Sequence, residues 1–376
     1  MFERIKQMLV KEFIQVFRDP KMRGVIFLMP IIQVLVFGYA VTTDVTHVAT
    51  AVFDLDNSAA SRELVGRFVK SGYFDIVAHV DDDEHARQLV DRGEALAVLR
   101  INRGFENDLR AGRAAQLQVI LDGTDSNTAG VVLNYSAKIA GQFSQKVLVT
   151  RLTRAKGVAD EPGGVELQTR AWFNENLESR NFYVPGVIAI IVLLVTLMLT
   201  SMAVVREKEI GTMEQIMVTP IKPLEFILGK TVPFALIGFA DVLLITVVSL
   251  VWFEIPIRGS VLLLLGAAAL YIMTSLGVGL LISTVSETQQ QAMMSTFFFY
   301  FPAVLLSGFM FPIANMPPVI QWLTYLNPLR YFLVIIRGIF LKGVGLHILW
   351  VQMAALAVMG IITLWLASRR FHKTLA

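Results

Sequence analysis

Gly229-Lys230-Thr231 is the part of this chain that most resembles a site for chemistry. A glycine-rich loop ending Gly-Lys-Thr can wrap phosphates with its backbone N–H groups while the lysine offsets their charge. Here the stretch runs Leu224-Glu225-Phe226-Ile227-Leu228-Gly229-Lys230-Thr231. Leu224 stands where the first glycine is needed, and bulky apolar residues replace the flexible loop. No strand precedes it and a long apolar run follows. It reads as an interfacial helix with Lys230 snorkelling to the bilayer edge, so this chain is not expected to bind ATP. Asp81-Asp82-Asp83 invites a metal site, but no second ligand cluster completes a shell, and acids at a helix N-terminus are favoured by the helix dipole. His79 and His85 stand alone. Nothing is spaced like a catalytic triad, a zinc cluster or paired carboxylates in a cleft. There is no Cys, which excludes disulfides and thiolate metal sites.

Two further groups invite a role because of where they sit. Asp241 lies near the middle of an apolar run, and an acid at membrane depth is a functional candidate by default. It could line a substrate path or carry a proton; equally, it could be a buried acid paired with Ser, Thr or Arg of a neighbouring helix. Arg330 and Arg337 stand two turns apart within a strongly apolar stretch. They are candidates for the same path or for helix pairing.

Composition names the solvent for these residues. The chain has 376 residues, 55% of them hydrophobic and only 17% charged, whereas soluble domains carry about 25% charged residues. The class is membrane α-helical. Six apolar runs approach the roughly 20 residues that a bilayer core demands: Gly24–Val41, Phe182–Val205, Thr231–Phe253, Val261–Thr284, Ala292–Phe311 and Leu346–Ala367. Lys and Arg concentrate before the first run, between the second and third, and after the last, which places both termini in the cytoplasm. The net charge of +3 serves that orientation, and no nucleic-acid partner is expected. Residues 2–18 read as an interfacial helix with Phe2, Ile5, Leu9, Phe13, Val16 and Phe17 at helical spacing. Residues 312–345 read as two short helices that cannot span. They read as re-entrant half-helices, with an amphipathic helix lying flat on the outer surface as the alternative. Phe297–Pro302 in the fifth run suits lipid contact, and Pro302 should kink that helix.

Three domains follow: 1–43, an interfacial helix and first span; 44–180, a polar block outside the membrane; and 181–376, five further spans. The polar block alternates strands (Val48–Asp54, Phe74–Val80, Leu96–Ile101, Leu117–Leu121) with helices, one of them capped by Ser58. A final long helix carries Val131, Tyr135, Ile139, Phe143 and Val147 on one face. This is the pattern of a small α/β layer fold.

Between the second and third spans lies Arg206-Glu207-Lys208-Glu209-Ile210-Gly211-Thr212-Met213-Glu214-Gln215-Ile216-Met217-Val218-Thr219-Pro220. A plain turn needs only a few residues. This mixed-charge, amphipathic loop suits docking to a soluble partner, with acids at a rim and Met213, Ile216 and Met217 in a groove.

That loop, continued through Pro223 to Gly229 and Lys230, resembles the coupling-helix region of ABC-2-type permeases, whose pattern is E-K-x-x-G-T-x-E-x-L-x-x-[TS]-P. Glu207, Lys208, Gly211, Thr212, Glu214, Thr219 and Pro220 match it. Trp172-Phe173-Asn174 with Arg180-Asn181-Phe182-Tyr183-Val184-Pro185-Gly186, and Leu326-Asn327-Pro328-Leu329-Arg330-Tyr331 with Arg337-Gly338-Ile339-Phe340-Leu341-Lys342-Gly343, are similar to further stretches of that family. Asn176 departs where Pro is common. Leu121–Asn127 is similar to a subgroup with a large periplasmic insert. The resemblance implies an exporter permease without its own nucleotide site, with ATP and Mg held by separate ABC ATPase subunits. It implies a coupling segment over 206–222, and a second permease as homodimer or sister-subunit heterodimer. In that subgroup a membrane-fusion adaptor often stands alongside, the location is the bacterial inner membrane with 44–180 periplasmic, and the cargo is drugs or other amphiphiles. Two other functions fit the residues alone: a receptor or scaffold without ATPase, and a secondary transporter using Asp241. The lack of internal repeats argues against the latter.

Overall fold

In a computed structural model of the chain, residues 2–18, 20–40, 47–156, 172–174, 178–211 and 223–374 are described. It divides into two compact units, Met1–Thr42 with Arg170–Ala376, and Thr43–Thr169. The first unit begins with α1 (Phe2–Arg18) and α2 (Pro20–Arg23), then one π-helical stretch (Gly24–Leu28) and α3 (Met29–Ala40). The inward face of α1 follows the expected apolar stripe at Leu9, Phe13 and Val16, which are half-buried or buried, and adds an acid to it. Glu12 and Val16 are buried and Met8 is half-buried one turn earlier, while Val10, Ile14 and Phe17 stay exposed. Gly38 of α3 lets Phe253 pack: a Cβ there would sit 2.2 Å from the ring.

The second unit is a four-stranded sheet, β1 (Val48–Asp54), β2 (Phe74–His79), β3 (Ala97–Ile101) and β4 (Leu117–Leu121), in the order β2-β1-β3-β4. The first three are parallel and β4 runs antiparallel to β3. Both faces of the parallel part are apolar, as helices on each side require. Leu99 and Ile101 face Leu64, Phe68 and Phe143, which come from α4 (Ala59–Lys70) and the long α7 (Ser126–Lys156). Ala51 and Val98 face Ala86 and Leu89 of α5 (Asp83–Asp91). A short α6 (Phe105–Ala111) completes the unit. Ser58 caps α4 through a reciprocal pair with Ser61. The acidic triplet is spent locally: Asp82 accepts from the His85 N–H at 2.6 Å as the α5 cap, and Asp83 pairs with Arg100 at 2.6 Å.

The rest of the first unit is α8 (Ser179–Ile210), α9 (Pro223–Val251), α10 (Val261–Val285), α11 (Gln289–Leu305), α12 (Pro318–Thr324), α13 (Pro328–Arg337) and α14 (Leu346–Thr374). Among the described residues, four helices are long and apolar enough to cross a bilayer: α8, and the greater parts of α9, α10 and α14. The apolar part of α3 is shorter, and α12 and the helix that begins with α13 are bent by 78° across their break. The fifth apolar run departs from expectation. Its helix ends at Leu305, three residues after Pro302, and the chain turns through Gly308 at φ +81° instead of continuing to Phe311. α8 is the central element, buried over most of its length and packed by α3, α9, α10, α11 and α13. Small residues let the others approach it. A Cβ on Gly279 would stand 2.9 Å from Thr200 Cβ, and one on Gly186 2.7 Å from the Phe309 ring.

Candidate functional site

The two ends of α8 gather several of the residues singled out in the sequence. Phe182 and Glu207 are about 37 Å apart along the helix at 1.5 Å per residue, so what is fixed at each end is joined by one rigid rod.

At the C-terminal end, α1, α8 and α9 meet in a buried ion cluster. Lys230 Nζ donates to Glu12 Oε1 at 2.5 Å and to Glu207 Oε1 at 2.7 Å. Lys11 Nζ reaches the same Glu207 oxygen at 3.0 Å from its half-exposed position. The side chains of Lys230, Glu207 and Glu12 are 3%, 5% and 6% exposed. This overturns the expectation that Lys230 snorkels to the bilayer edge. Its ammonium is committed inward to two carboxylates, because a buried cation needs paired charge more than a lone surface lysine needs water. Gly229 permits the approach of α1: a Cβ there would stand 2.9 Å from Met8 Cβ.

The same end shows what individual loop residues do. Glu207 is drawn into the cluster rather than standing on an outward rim. Glu209 accepts from the backbone N–H of Gln289 at 3.4 Å and from its side-chain amide, tying α8 to the start of α11. Lys208 is half-buried and its carbonyl accepts from the Gly211 N–H at 3.2 Å. Gly211 ends α8 at φ +79°, a left-handed conformation that glycine adopts without penalty. Thr212, Glu214, Thr219 and Pro220 lie outside the described residues. Glu12 was not found from sequence. The usable signal was an acid at i+4 between Met8 and Val16, where a surface helix ought to continue its apolar stripe.

At the N-terminal end, Arg337 closes on α8. Its Nε donates to the Phe182 carbonyl at 3.3 Å and one terminal nitrogen to the Gly308 carbonyl at 3.4 Å. Its guanidinium lies 3.7 Å from the Phe182 ring centroid. Arg337 is thus held by two carbonyls and an aromatic face. Arg330 donates to Thr324 Oγ1 and stacks on Tyr325 at 3.9 Å, holding the bend between α12 and α13. Asn327 bridges the break as well. Its amide donates to the Ala303 carbonyl at 2.6 Å, which the end of α11 leaves free, and its Oδ1 accepts the Leu329 N–H at 3.1 Å. The Ala303 carbonyl left by the end of α11 is thus satisfied by a side chain from another segment.

Asp241 is placed on α9, fully buried, and neither carboxyl oxygen has a hydrogen-bond partner among the described residues. No Ser, Thr or Arg among the described residues of this chain pairs with it. Arg330 and Arg337 are engaged elsewhere and are not brought to it.

A family model described as ABC-2 family transporter protein matches residues 22–369. The chain is 35% identical over 350 residues to the probable multidrug ABC transporter permease YbhR of Escherichia coli K12, covering 93% of each chain. It is 32% identical to the probable multidrug permease YbhS of the same strain, over 98% of this chain and 97% of that one. The inner membrane transport permease YhhJ is 29% identical over 86% of this chain and 85% of its own. The chain belongs to the ABC-2 family of transporter proteins.

Proposed function

We propose that this permease exports drugs or other amphiphiles across a bacterial inner membrane, powered by separate ABC ATPase subunits that press on residues 206–222. The family and the names of its relatives support the exporter role. The finer assignment rests mainly on the three-helix ion cluster. Residues 212–222 join the end of α8 to the start of α9, and Lys230 latches those two helices to each other and to α1. A push on the loop therefore moves α8, α9 and α1 together instead of bending one helix. Rigid-body motion of packed helices is an established way to open a path. ATP and Mg belong on the ATPase. Glu207, Lys208, Gly211, Thr212, Glu214, Thr219 and Pro220 are assigned to coupling.

The topology that fits this role has six crossings. α3 and α11 complete the four long spans, α12 and α13 form a re-entrant pair, both termini are cytoplasmic, and 44–180 is periplasmic. The distribution of Lys and Arg supports that orientation. A second permease, identical or a sister chain, completes the transmembrane part, and the large insert suits contact with a periplasmic adaptor.

The test is reconstitution with the cognate ATPase in proteoliposomes. Glu214→Lys should abolish ATP-dependent export of a fluorescent amphiphile while membrane insertion is retained. Export at the wild-type rate in that variant overturns the coupling assignment.

A further inference from the structure

Beside the ion cluster lies a cavity of about 340 Å³, lined by Glu12, Arg206 and Lys230 at its polar side and by Leu199, Met202 and Phe234 among its apolar residues. Its charges are unevenly matched. Of its charged lining residues, Glu12 and Lys230 pair with each other. Arg206 is the remaining charged residue of the lining, half-buried, with no carboxylate ion pair among the described residues. A guanidinium presents a planar fork of N–H donors that matches phosphate and carboxylate oxygens, and next to apolar walls such a pairing is screened less than in water. The volume is at the small end for ligand pockets. It suits a head group and its adjoining carbons rather than a whole drug.

We propose that this cavity is a binding site for amphiphiles bearing an anionic head group, with the head on Arg206 and the alkyl part along Leu199, Met202 and Phe234. This deepens the exporter reading, and rests on it for the claim that the cavity faces the inner leaflet. The ligand class itself rests only on the lining.

The chain has no native Cys, so Met202→Cys provides a single thiol in the wall. Maleimide labelling of that full-length variant in neutral detergent would be followed without any ATPase, so failure here is distinct from failure of the exporter role. Dodecyl phosphate should slow labelling at least tenfold, while dodecyltrimethylammonium and inorganic phosphate should not. Adding Arg206→Gln should raise the dodecyl phosphate needed by tenfold or more, and Arg206→Lys should keep the preference for anions. The ligand-free labelling rate verifies that each variant retains the cavity. In nanodiscs, protection by phosphatidylglycerol alone identifies a resident lipid, and protection only after adding dodecyl phosphate identifies a transported amphiphile; both support the site. Equal protection by the cationic detergent, protection by inorganic phosphate, or indifference to Arg206→Gln overturns it.

Discussion

Glu12 and Lys230 are 218 positions apart in the chain, yet their charged atoms are 2.5 Å apart and both side chains are buried. Removing one member of such a cluster leaves the others as uncompensated buried charge, which costs about 3–5 kcal/mol. Lys230→Met should therefore strip Glu12 and Glu207 of their shared cation and lower the thermal midpoint of the detergent-solubilised protein markedly. Glu12→Gln should cost less, because Lys230 keeps Glu207. A double-mutant cycle on Glu12 and Lys230 measures the coupling, and additive effects would show that α1 is not latched through this pair.

Gly229 and Gly277 are predicted to tolerate no Cβ without movement. At Gly277 the added carbon would meet Thr363 Oγ1 at 2.3 Å and the Leu364 backbone nitrogen at 3.0 Å. Overpacking of this kind costs about 1–3 kcal/mol. Gly277→Ala should be destabilising, and Thr363→Ala should recover part of the loss by removing the nearer clash. Melting of the single and double variants checks this, and no recovery would place the strain at the Leu364 backbone.

Arg337→Lys keeps the charge and loses the planar fork that reaches the Phe182 and Gly308 carbonyls and stacks on the Phe182 ring. The two residues are not interchangeable at such a site. The variant should insert normally but show about a tenfold lower export rate, corresponding to about 1.4 kcal/mol in the transport barrier. An unchanged rate would reduce the clasp to packing alone.

These expectations mark what was readable beforehand. The strands of the insert showed themselves through local pattern: Val48–Asp54 and Leu117–Leu121 are bounded by turn residues, and Ser58 announces α4. Long apolar runs were equally plain. What stayed hidden was pairing over distance. Lys230 looks like a surface lysine until α1 folds back on it, and Glu12 looks solvated until Gly229 lets Met8 approach. Arg337 was legible as a candidate, but its partners are carbonyls, which carry no sequence signature. The end of α11 at Leu305 depended on Asn327 supplying a hydrogen bond from another helix.

Acid should weaken the insert through Glu63. The hydrogen bond from Lys146, at 2.7 Å, is the main cause that holds its carboxyl below the ordinary value; burial opposes it and Arg67 adds to it. A carboxylate whose folded pKa is depressed contributes stability above its unfolded pKa, and that contribution disappears as pH falls through the folded value. The groups are half-exposed, so solvent screening keeps the effect small. Wild type should melt slightly above Glu63→Gln at pH 6, and the gap should close below about pH 4. A gap that persisted into stronger acid would mean that packing, not charge, separates the two proteins.

Asp241 presents the opposite balance between stability and use. Its carboxyl is fully buried with both oxygens unbonded among the described residues, an arrangement that costs about 1–3 kcal/mol relative to an apolar side chain of similar shape. Asp241→Leu should therefore raise the melting temperature. We propose that this acid within an apolar helix serves the transport path, so the same substitution should lower ATP-driven export of the amphiphile at least tenfold. Asp241→Asn, which preserves shape, separates charge from size: export retained in Asn but lost in Leu assigns a polar contact, and loss in both assigns the carboxyl itself. If collapsing the proton gradient leaves wild-type export unchanged, Asp241 acts on the cargo and not as a proton carrier. A Leu variant that is less stable than wild type, or that exports normally, would remove Asp241 from the path.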